Sequence, residues 1–293
     1  MKVLLYGQRL DSSEEEYLHI LLSTCKILGW DIAVYEPYVL TLIEAGITLP
    51  QYQPVDTTEK LKEWKPDFII TLGGDGTILK AITLVKDTGF PIVGINLGRL
   101  GFLASIEKTR IKEVLLELAD LKYTIAERSL LALECNKDIF GDTRFALNDF
   151  TITKRDDSSM VKIKTYINDK LLNVYWADGL IVATPTGSTG YSLSCGGPIV
   201  FPQSNNFVIT PIAPHNLNVR PVVLSDSSII SFEIEGRAEH FLSTLDSRHE
   251  KITADHRIKI KKCDFKIRLV KPLGTTFMGT ISSKLMWGLD MRN

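Results

Sequence analysis

The sequence predicts a chain in two parts: an α/β half with a parallel sheet and helices on both faces, then an all-β half of antiparallel strands. Three observations predict it. Over residues 1–126, short apolar runs alternate with segments of helical period, as in strands joined by helical crossovers. Over residues 127–270 the period falls to two and helical spacing is nearly absent, as in strands with one wet face. A glycine-rich turn, Gly73-Gly74-Asp75-Gly76-Thr77, joins an apolar run to a helical one in the first half. Residues 271–293 are less patterned and are expected to pack back on the first half.

Val3 to Tyr6 is the first strand. Ser12 and Ser13 each precede a glutamate by three residues, Glu15 and Glu16, which is a doubled capping-box pattern. Leu18, Leu21, Leu22, Cys25 and Leu28 follow at helical spacing, and Gly29 ends the helix. Ile32 to Tyr35 is a strand. Between Pro37 and Lys65 no period is legible, and Pro50 and Pro54 predict a loop. Asp67 to Thr71 is the strand before the glycine turn, and Ile78, Ile82 and Val85 mark one face of the helix after it. Pro91 to Asn96 is a further strand; Ile111, Val114, Leu115 and Leu118 mark a further helix. In the second half, Val161, Ile163 and Thr165 alternate with Lys162 and Lys164, and Asn168-Asp169 predicts a hairpin turn before Leu171 to Trp176. Ile230, Phe232 and Ile234 alternate with Ser231, Glu233 and Glu235; Ile258, Ile260, Phe265, Ile267 and Leu269 continue the pattern.

Composition narrows the function. With 34 basic residues against 35 acidic ones, the formal net charge is −1. This argues against a nucleic-acid surface or a polybasic membrane anchor. The basic run Lys259-Ile260-Lys261-Lys262 alternates, as the wet face of a strand does. Cys25, Cys135, Cys195 and Cys263 show no Cys-x-x-Cys spacing, so neither a zinc site nor a redox pair is expected, and the thiols are expected to be reduced in a cytoplasm. Residues 1–7 form a strand rather than a signal peptide, and no run approaches the roughly 18 apolar residues of a membrane span. The five histidines show no metal-ligand spacing. Cys195 has no evident base partner.

Three blocks carry chemistry. In the glycine turn, backbone lacking side chains can approach a bulky anion, and the helix that follows offers free N–H groups to phosphate. Asp75 in that turn caps the helix, accepts a proton from a hydroxyl or holds a metal. Lys80 either reaches a phosphate or is a solvated helix lysine. The second block runs from Asp178 to Pro198 and is dense in small and hydroxyl-bearing residues, Thr184-Pro185-Thr186-Gly187-Ser188-Thr189-Gly190-Tyr191-Ser192-Leu193-Ser194 among them. Hydroxyls and open amides suit phosphate and ribose, and Tyr191 offers a flat face for a base. Asp178-Gly179 also fits a hairpin turn. The third block, Leu147-Asn148-Asp149, sets an amide beside a carboxylate, a pair able to bracket a diol.

Together these blocks resemble the NAD kinase family. The matching residues are 73–77, Gly98-Arg99-Leu100-Gly101-Phe102-Leu103, Leu147-Asn148-Asp149, Asp178-Gly179, 184–194, Pro211-Ile212-Ala213-Pro214-His215 and Asp246-Ser247-Arg248, in family order. The resemblance implies transfer of the γ-phosphoryl of ATP to the 2′-hydroxyl of the adenosine ribose of NAD, giving NADP. Asp75 is implied as the proton acceptor, with Gly73, Gly74, Gly76, Thr77 and Lys80 around the phosphates and Mg²⁺ carried on the ATP. Asp75, Gly76, Asn148, Asp149, Asp178, Thr189, Gly190, Tyr191, Ser192, Ser194, Ala213 and Arg248 are implied NAD contacts. Ser159 and Trp176 match variable contact positions; Trp176 either stacks on nicotinamide or fills the core. Asp149 stands where the family has glutamate, Gly190 where it has alanine, and Arg248 where many bacterial members have glutamine. A homodimer or homotetramer is implied, with Ala213 reaching NAD on a neighbouring subunit.

Two other functions share features of the sequence. A lipid kinase carries the same glycine turn but needs an apolar channel, against which the hydroxyl-rich block argues. A silent nucleotide sensor keeps the binding residues and loses the base, whereas Asp75 is present. No Gly-Lys-Ser or Gly-Lys-Thr pair occurs, which excludes a Walker-type loop.

Overall fold

Strand β1 (Lys2–Gly7) is the middle of a parallel sheet completed by β2 (Asp31–Tyr35), β3 (Tyr52–Val55), β4 (Phe68–Leu72) and β5 (Ile92–Asn96), in the order β3-β2-β1-β4-β5. The computed structural model describes residues 1–98, 101–155, 160–236 and 238–286. The chain divides into two units: Met1–Glu127 with the segment from Ile267 onward, and Arg128–Lys266. Ser159, an expected contact residue, and Arg99-Leu100 lie outside the described residues.

In the first unit the helices α1 (Glu15–Ile27), α2 (Glu36–Glu44), α3 (Thr58–Trp64), α4 (Asp75–Val85) and α5 (Ile111–Ala119) connect or follow the strands. Both faces of the sheet are buried. Val3, Leu5, Ile32, Val34, Phe68, Ile70, Val93 and Ile95 share one core with Leu18 and Leu21 of α1, Tyr38 of α2 and Leu115 of α5. The alternate residues Leu4, Ile69 and Ile92 are equally inaccessible and lie on the face where α4 packs against β1, β4 and β5. Strands covered on both sides read as continuous apolar runs, which is why these were legible. The strand order reverses direction between β1 and β4, and ligands of such sheets bind beyond the strand ends at that point.

Local details differ from expectation. The capping box is formed one residue early: the Asp11 N–H donates to Glu14 Oε2 at 3.0 Å, because Ser12 and Ser13 fall inside a short 3₁₀ turn, Ser12–Glu14. Gly29 adopts φ +65°, and Trp30 N–H returns to the Cys25 carbonyl at 3.0 Å, closing α1. The segment expected as a loop holds α2, β3 and α3. Pro37 stands in the first turn of α2, where its missing N–H is not needed. Pro54 lies in β3, the edge strand of the order, where a lost ladder donor is tolerated.

The second unit is two antiparallel sheets. One contains Lys170–Ala177, Val161–Ile167, Ile230–Glu235 and the start of Ile258–Pro272; the other runs Val222–Ser225, Asn206–Ile212, Gly179–Ala183, Asp149–Lys154, Phe241–Leu245, Arg248–Ile252. Val161, Ile163, Phe232 and Ile234 of the first sheet share a core with Phe150, Ile152, Leu180, Val182 and Phe207 of the second. Lys162 faces outward and meets Glu235 across the ladder at 2.7 Å. Asn168 and Asp169 take φ of 49° and 64°, the hairpin turn expected of them. Lys261 and Lys262 of the basic run pair with Glu134 and Asp226.

Asp178-Gly179 is not a hairpin turn. Its flanking strands belong to different sheets, so the chain crosses between sheets there. A Cβ at Gly179 would lie 2.4 Å from the Ile152 carbonyl oxygen, so only glycine fits the crossing.

Candidate functional site

In the first unit, Gly73 to Lys80 form one cluster just beyond β4. Gly73 takes φ +143°, and a Cβ there would stand 2.3 Å from Thr77 Oγ1; the turn requires glycine. Gly74 begins α4 with no side chain capping it. A Cβ at Gly74 or Gly76 would meet nothing within 4 Å. Open space therefore lies over an uncapped helix end, where N–H groups and the helix dipole attract anions. Lys80 Nζ donates to Gln8 Oε1 at 2.6 Å, which ties α4 to the end of β1.

Asp75 does not cap the helix through its side chain. Its carboxylate turns to the segment after β5 and accepts three consecutive backbone N–H groups. Phe102 N–H donates to Oδ2 at 2.8 Å; Leu103 and Ala104 donate to Oδ1 at 3.1 and 2.9 Å. Gly101 makes this approach possible, because a Cβ there would lie 1.8 Å from Oδ1. A carboxylate offers about four acceptor directions. Two are used on Oδ1 and one on Oδ2, which leaves Oδ2 one direction for a hydroxyl donor. Sequence reasoning missed this amide cradle; the matched Gly101-Phe102-Leu103 run marked the segment without indicating its role.

In the second unit, Asn148 and Asp149 open a strand of the second sheet and meet the hydroxyl-rich block directly. Thr184 Oγ1 donates to the Leu147 carbonyl, and Thr184 N–H donates to the Asn148 carbonyl at 2.9 Å. A Cβ on Gly187 would stand 1.9 Å from that same carbonyl oxygen. A Cβ on Gly190 would stand 3.9 Å from both Asn148 Nδ2 and Asp149 Oδ2. The glycines of the block thus let two turns of chain press together beside an amide and a carboxylate. Asp149 is buried, and burial followed by the charge of Asp246 pushes its carboxyl up to about 7. Tyr191 is 45% exposed, and its hydroxyl is pushed up by partial burial first and then by the charges of Cys195, Asp149 and Asp178.

The other expected residues divide. Thr189 Oγ1 donates to the Thr186 carbonyl at 3.2 Å. Ser194 is exposed. Ser192 is fully buried and its hydroxyl bonds Thr210 Oγ1 at 2.8 Å. Asp178 pairs with Lys154 at 2.9 Å. Its N–H donates to the Ile212 carbonyl at 2.9 Å, which brings it beside Ala213. Ala213 takes φ +43°, a region costly for a residue with a side chain. Trp176 is 49% exposed, so it does not fill the core. Arg248 donates from Nη1 and Nη2 to the Thr143 and Phe145 carbonyls. Burial pushes the thiol of Cys195 up, which keeps it protonated. Among the described residues, no group of three or more His, Cys, Asp or Glu could hold a metal ion. None of the described helices is long and apolar enough to cross a membrane.

Comparison with known proteins places both halves of the chain. Residues 23–123 match the model of the ATP-NAD kinase N-terminal domain and residues 147–272 that of the ATP-NAD kinase C-terminal domain. The chain belongs to the ATP-NAD kinase family. Among its relatives, the NAD kinase of Cytophaga hutchinsonii is 47% identical over 99% of both chains. The NAD kinase of Flavobacterium psychrophilum is 43% identical over the full length of both. Yeast NADH kinase, solved with NADH, superposes with a TM-score of 0.88 at 23% identity, covering 100% of this chain and 89% of that one. An Archaeoglobus fulgidus NAD kinase solved with ATP gives 0.75 at 23% identity, covering 98% and 99%. The two solved structures share the fold.

Proposed function

We infer that this chain phosphorylates NAD to NADP with ATP, and that Asp75 takes the proton of the acceptor, the 2′-hydroxyl of the adenosine ribose. The observation that carries the reading is the cradle of Asp75. Three amides hold its carboxylate in one orientation, with one acceptor direction left on Oδ2, at an uncapped helix end. A general base needs that kind of fixed, hydrogen-bonding reach to its proton. Phosphoryl transfer otherwise demands mainly alignment and charge neutralisation. The amides around Gly74 and Gly76 and the end of α4 are the groups that meet the phosphates. Lys80 swings from Gln8 to reach them.

The divalent ion enters with ATP, because Mg²⁺ keeps waters and phosphate oxygens as ligands and needs no dedicated protein cage. It supplies charge neutralisation on the phosphates. Asn148 and Asp149 bracket the ribose hydroxyls and Tyr191 stacks on a base. Asp178 and Trp176 contact the nicotinamide end, and Thr189, Gly190 and Ser194 line the path between. Ser192 acts through its backbone, since its hydroxyl is already engaged by Thr210.

The chain assembles as a homo-oligomer through its β-rich unit, where Leu171, Leu172 and Trp176 are exposed on one edge strand. There Ala213 contributes to a neighbour's site. Four free thiols fit a reducing cytoplasm.

The test is Asp75→Asn, which keeps the shape and removes the base. The expected result is a loss of kcat of about 10²–10⁴-fold with NAD still bound, measured by NADP formation and by calorimetry. Undiminished turnover would remove Asp75 from the chemistry.

A further inference from the structure

Asp246 lies in the two-residue turn that joins strands Phe241–Leu245 and Arg248–Ile252, whose ends pair Leu245 with Arg248. It takes φ +52°, the left-handed conformation that such turns require and that glycine or asparagine meets at lower cost. Aspartate is also at home in such turns, which make no use of its carboxylate. Its carboxylate instead reaches the adjacent segment. Leu147 N–H donates to Oδ2 at 3.0 Å, and Asn148 and Asp149 donate to Oδ1 at 2.7 and 3.3 Å. In return, Asp246 N–H donates to the Asp149 carbonyl at 2.9 Å. Two residues on, Arg248 grips the Thr143 and Phe145 carbonyls of the same segment.

We propose that Asp246 is a positioning residue for the nucleotide: it fixes the backbone of Leu147-Asn148-Asp149 and thereby aims the Asn148 amide and the Asp149 carboxylate at the ribose. The proposal rests on the ribose-bracketing role given to Asn148 and Asp149 above. It follows from the amount of donor capacity spent. Two side chains of one hairpin satisfy five backbone groups of residues 143–149; the rest of the segment is tied by the pairing of Phe145 and Ala146 with Ala132 and Leu131 and by Thr184, and neither of these reaches the N–H groups of Leu147 and Asn148.

The charge of Asp246 has a second consequence. Asp149 faces Asp246 from the hairpin and Tyr191 and Cys195 from the hydroxyl-rich block. Arg248 faces Asp246. Among the described residues the charge that bears on Asp149 is that of Asp246, and burial followed by that charge pushes its carboxyl up to about 7. An ionised Asp149 accepts bonds from ribose hydroxyls better than a protonated one, so NAD should bind more tightly as pH rises through about 7.

The experiment is a calorimetric titration of NAD into the wild-type protein and the Asp246→Asn, Asp246→Gly and Asp149→Asn variants from about pH 5.5 to 8.5, a window spanning the raised carboxyl. Asn and Gly both suit the left-handed turn, so the hairpin is kept. The expected result for both Asp246 variants is NAD affinity reduced about tenfold at pH 8, the scale of one lost hydrogen bond. The midpoint of the pH dependence should also move to lower pH, a shift that a merely loosened turn would not produce. Asp149→Asn should lose the pH dependence altogether.

Unchanged affinity in Asp149→Asn would overturn the ribose-bracketing role, and the positioning role with it. Altered affinity there, with wild-type behaviour in both Asp246 variants, overturns the positioning role alone. Should the Asp246 variants not fold, wild-type hydrogen exchange decides. The Leu147, Asn148 and Asp149 amides should be protected before NAD is added, and rapid exchange at all three refutes the proposal.

Discussion

Gly101→Ala tests the orientation of Asp75 without touching Asp75. The added Cβ would lie 1.8 Å from Oδ1 and 2.4 Å from Cγ of the aspartate, against an ordinary contact of 3.4–4 Å. The carboxylate must therefore move by about 1.6 Å, the difference between 1.8 and 3.4 Å. A shift of that size breaks bonds now at 2.8 to 3.1 Å. Each charged hydrogen bond is worth about 1.5–3 kcal/mol. Asp75 is only partly buried, so water replaces much of that, and the fold should lose only about 1–2 kcal/mol. Catalysis is more sensitive, since a misplacement of about 1 Å costs on the order of 10²-fold. The expected outcome is kcat down about 10²-fold with KM for NAD within a few-fold of wild type. The assay is NADP formation, coupled to an NADP-specific dehydrogenase. Gly98→Ala is the control, since its Cβ meets only Asn96 Oδ1, at 3.9 Å. In the double variant with Asp75→Asn, Gly101→Ala should add almost nothing, because both act through one group. Wild-type kcat in Gly101→Ala, or full additivity in the double variant, refutes the reasoning.

Two further outcomes follow from the second unit. Asp149 has a folded pKa raised to about 7, so the native state holds its proton while the unfolded chain gives it up from about pH 4. Stability is then lost as pH rises between these values, by up to about 4 kcal/mol at 1.36 kcal/mol per unit. Asp149→Asn should therefore gain stability relative to wild type at pH 8 more than at pH 5 in chemical denaturation, and an equal difference at both would contradict it. The exposed apolar edge at Leu171, Leu172 and Trp176 leads to the expectation that a monomer obtained by dilution, and verified by sedimentation, loses activity; full activity in that monomer removes the shared-site assembly.

Much of the fold was legible because burial wrote it into the sequence. β1, β4 and β5 are covered on both faces and read as apolar runs; in the second unit Val161–Ile167 and Ile230–Glu235 alternate because one face of each is wet. The stretch from Pro37 to Lys65 was illegible for the opposite reason. β3 is a four-residue edge strand with two exposed positions and a proline, and α3 is only seven residues long, too short to show a period. The glycine turn and the hydroxyl-rich block announced themselves by residue type. Asp246 and Gly101 did not. Asp246 works on a backbone amide 99 residues away and Gly101 works by leaving room for the Asp75 carboxylate, and neither backbone amides nor vacated space leave a trace in composition. Asp178-Gly179 looked like a hairpin because a turn signal does not say which strands it joins.

Three carboxylates in this chain differ mainly in what surrounds them, and the differences divide their labour. Asp75 and Asp246 each accept three consecutive amides, two on one oxygen and one on the other. The same device serves two ends because burial differs. Asp75 stands half-open at a helix end with an acceptor direction to spare, so orientation by the amides makes it useful toward an incoming hydroxyl. The Asp246 carboxylate is enclosed by the segment it grips, so orientation is all it supplies. The Asp149 carboxylate receives no amide from the described residues. It is buried, near a like charge and held close to neutrality, a costly state for a carboxylate with no ligand. A ribose diol supplies the missing donors. Of the three carboxylates, the one without an amide to hold it is thus the one that gains most from nucleotide, and replacing it by a group content without donors should stabilise the empty protein while weakening its hold on NAD.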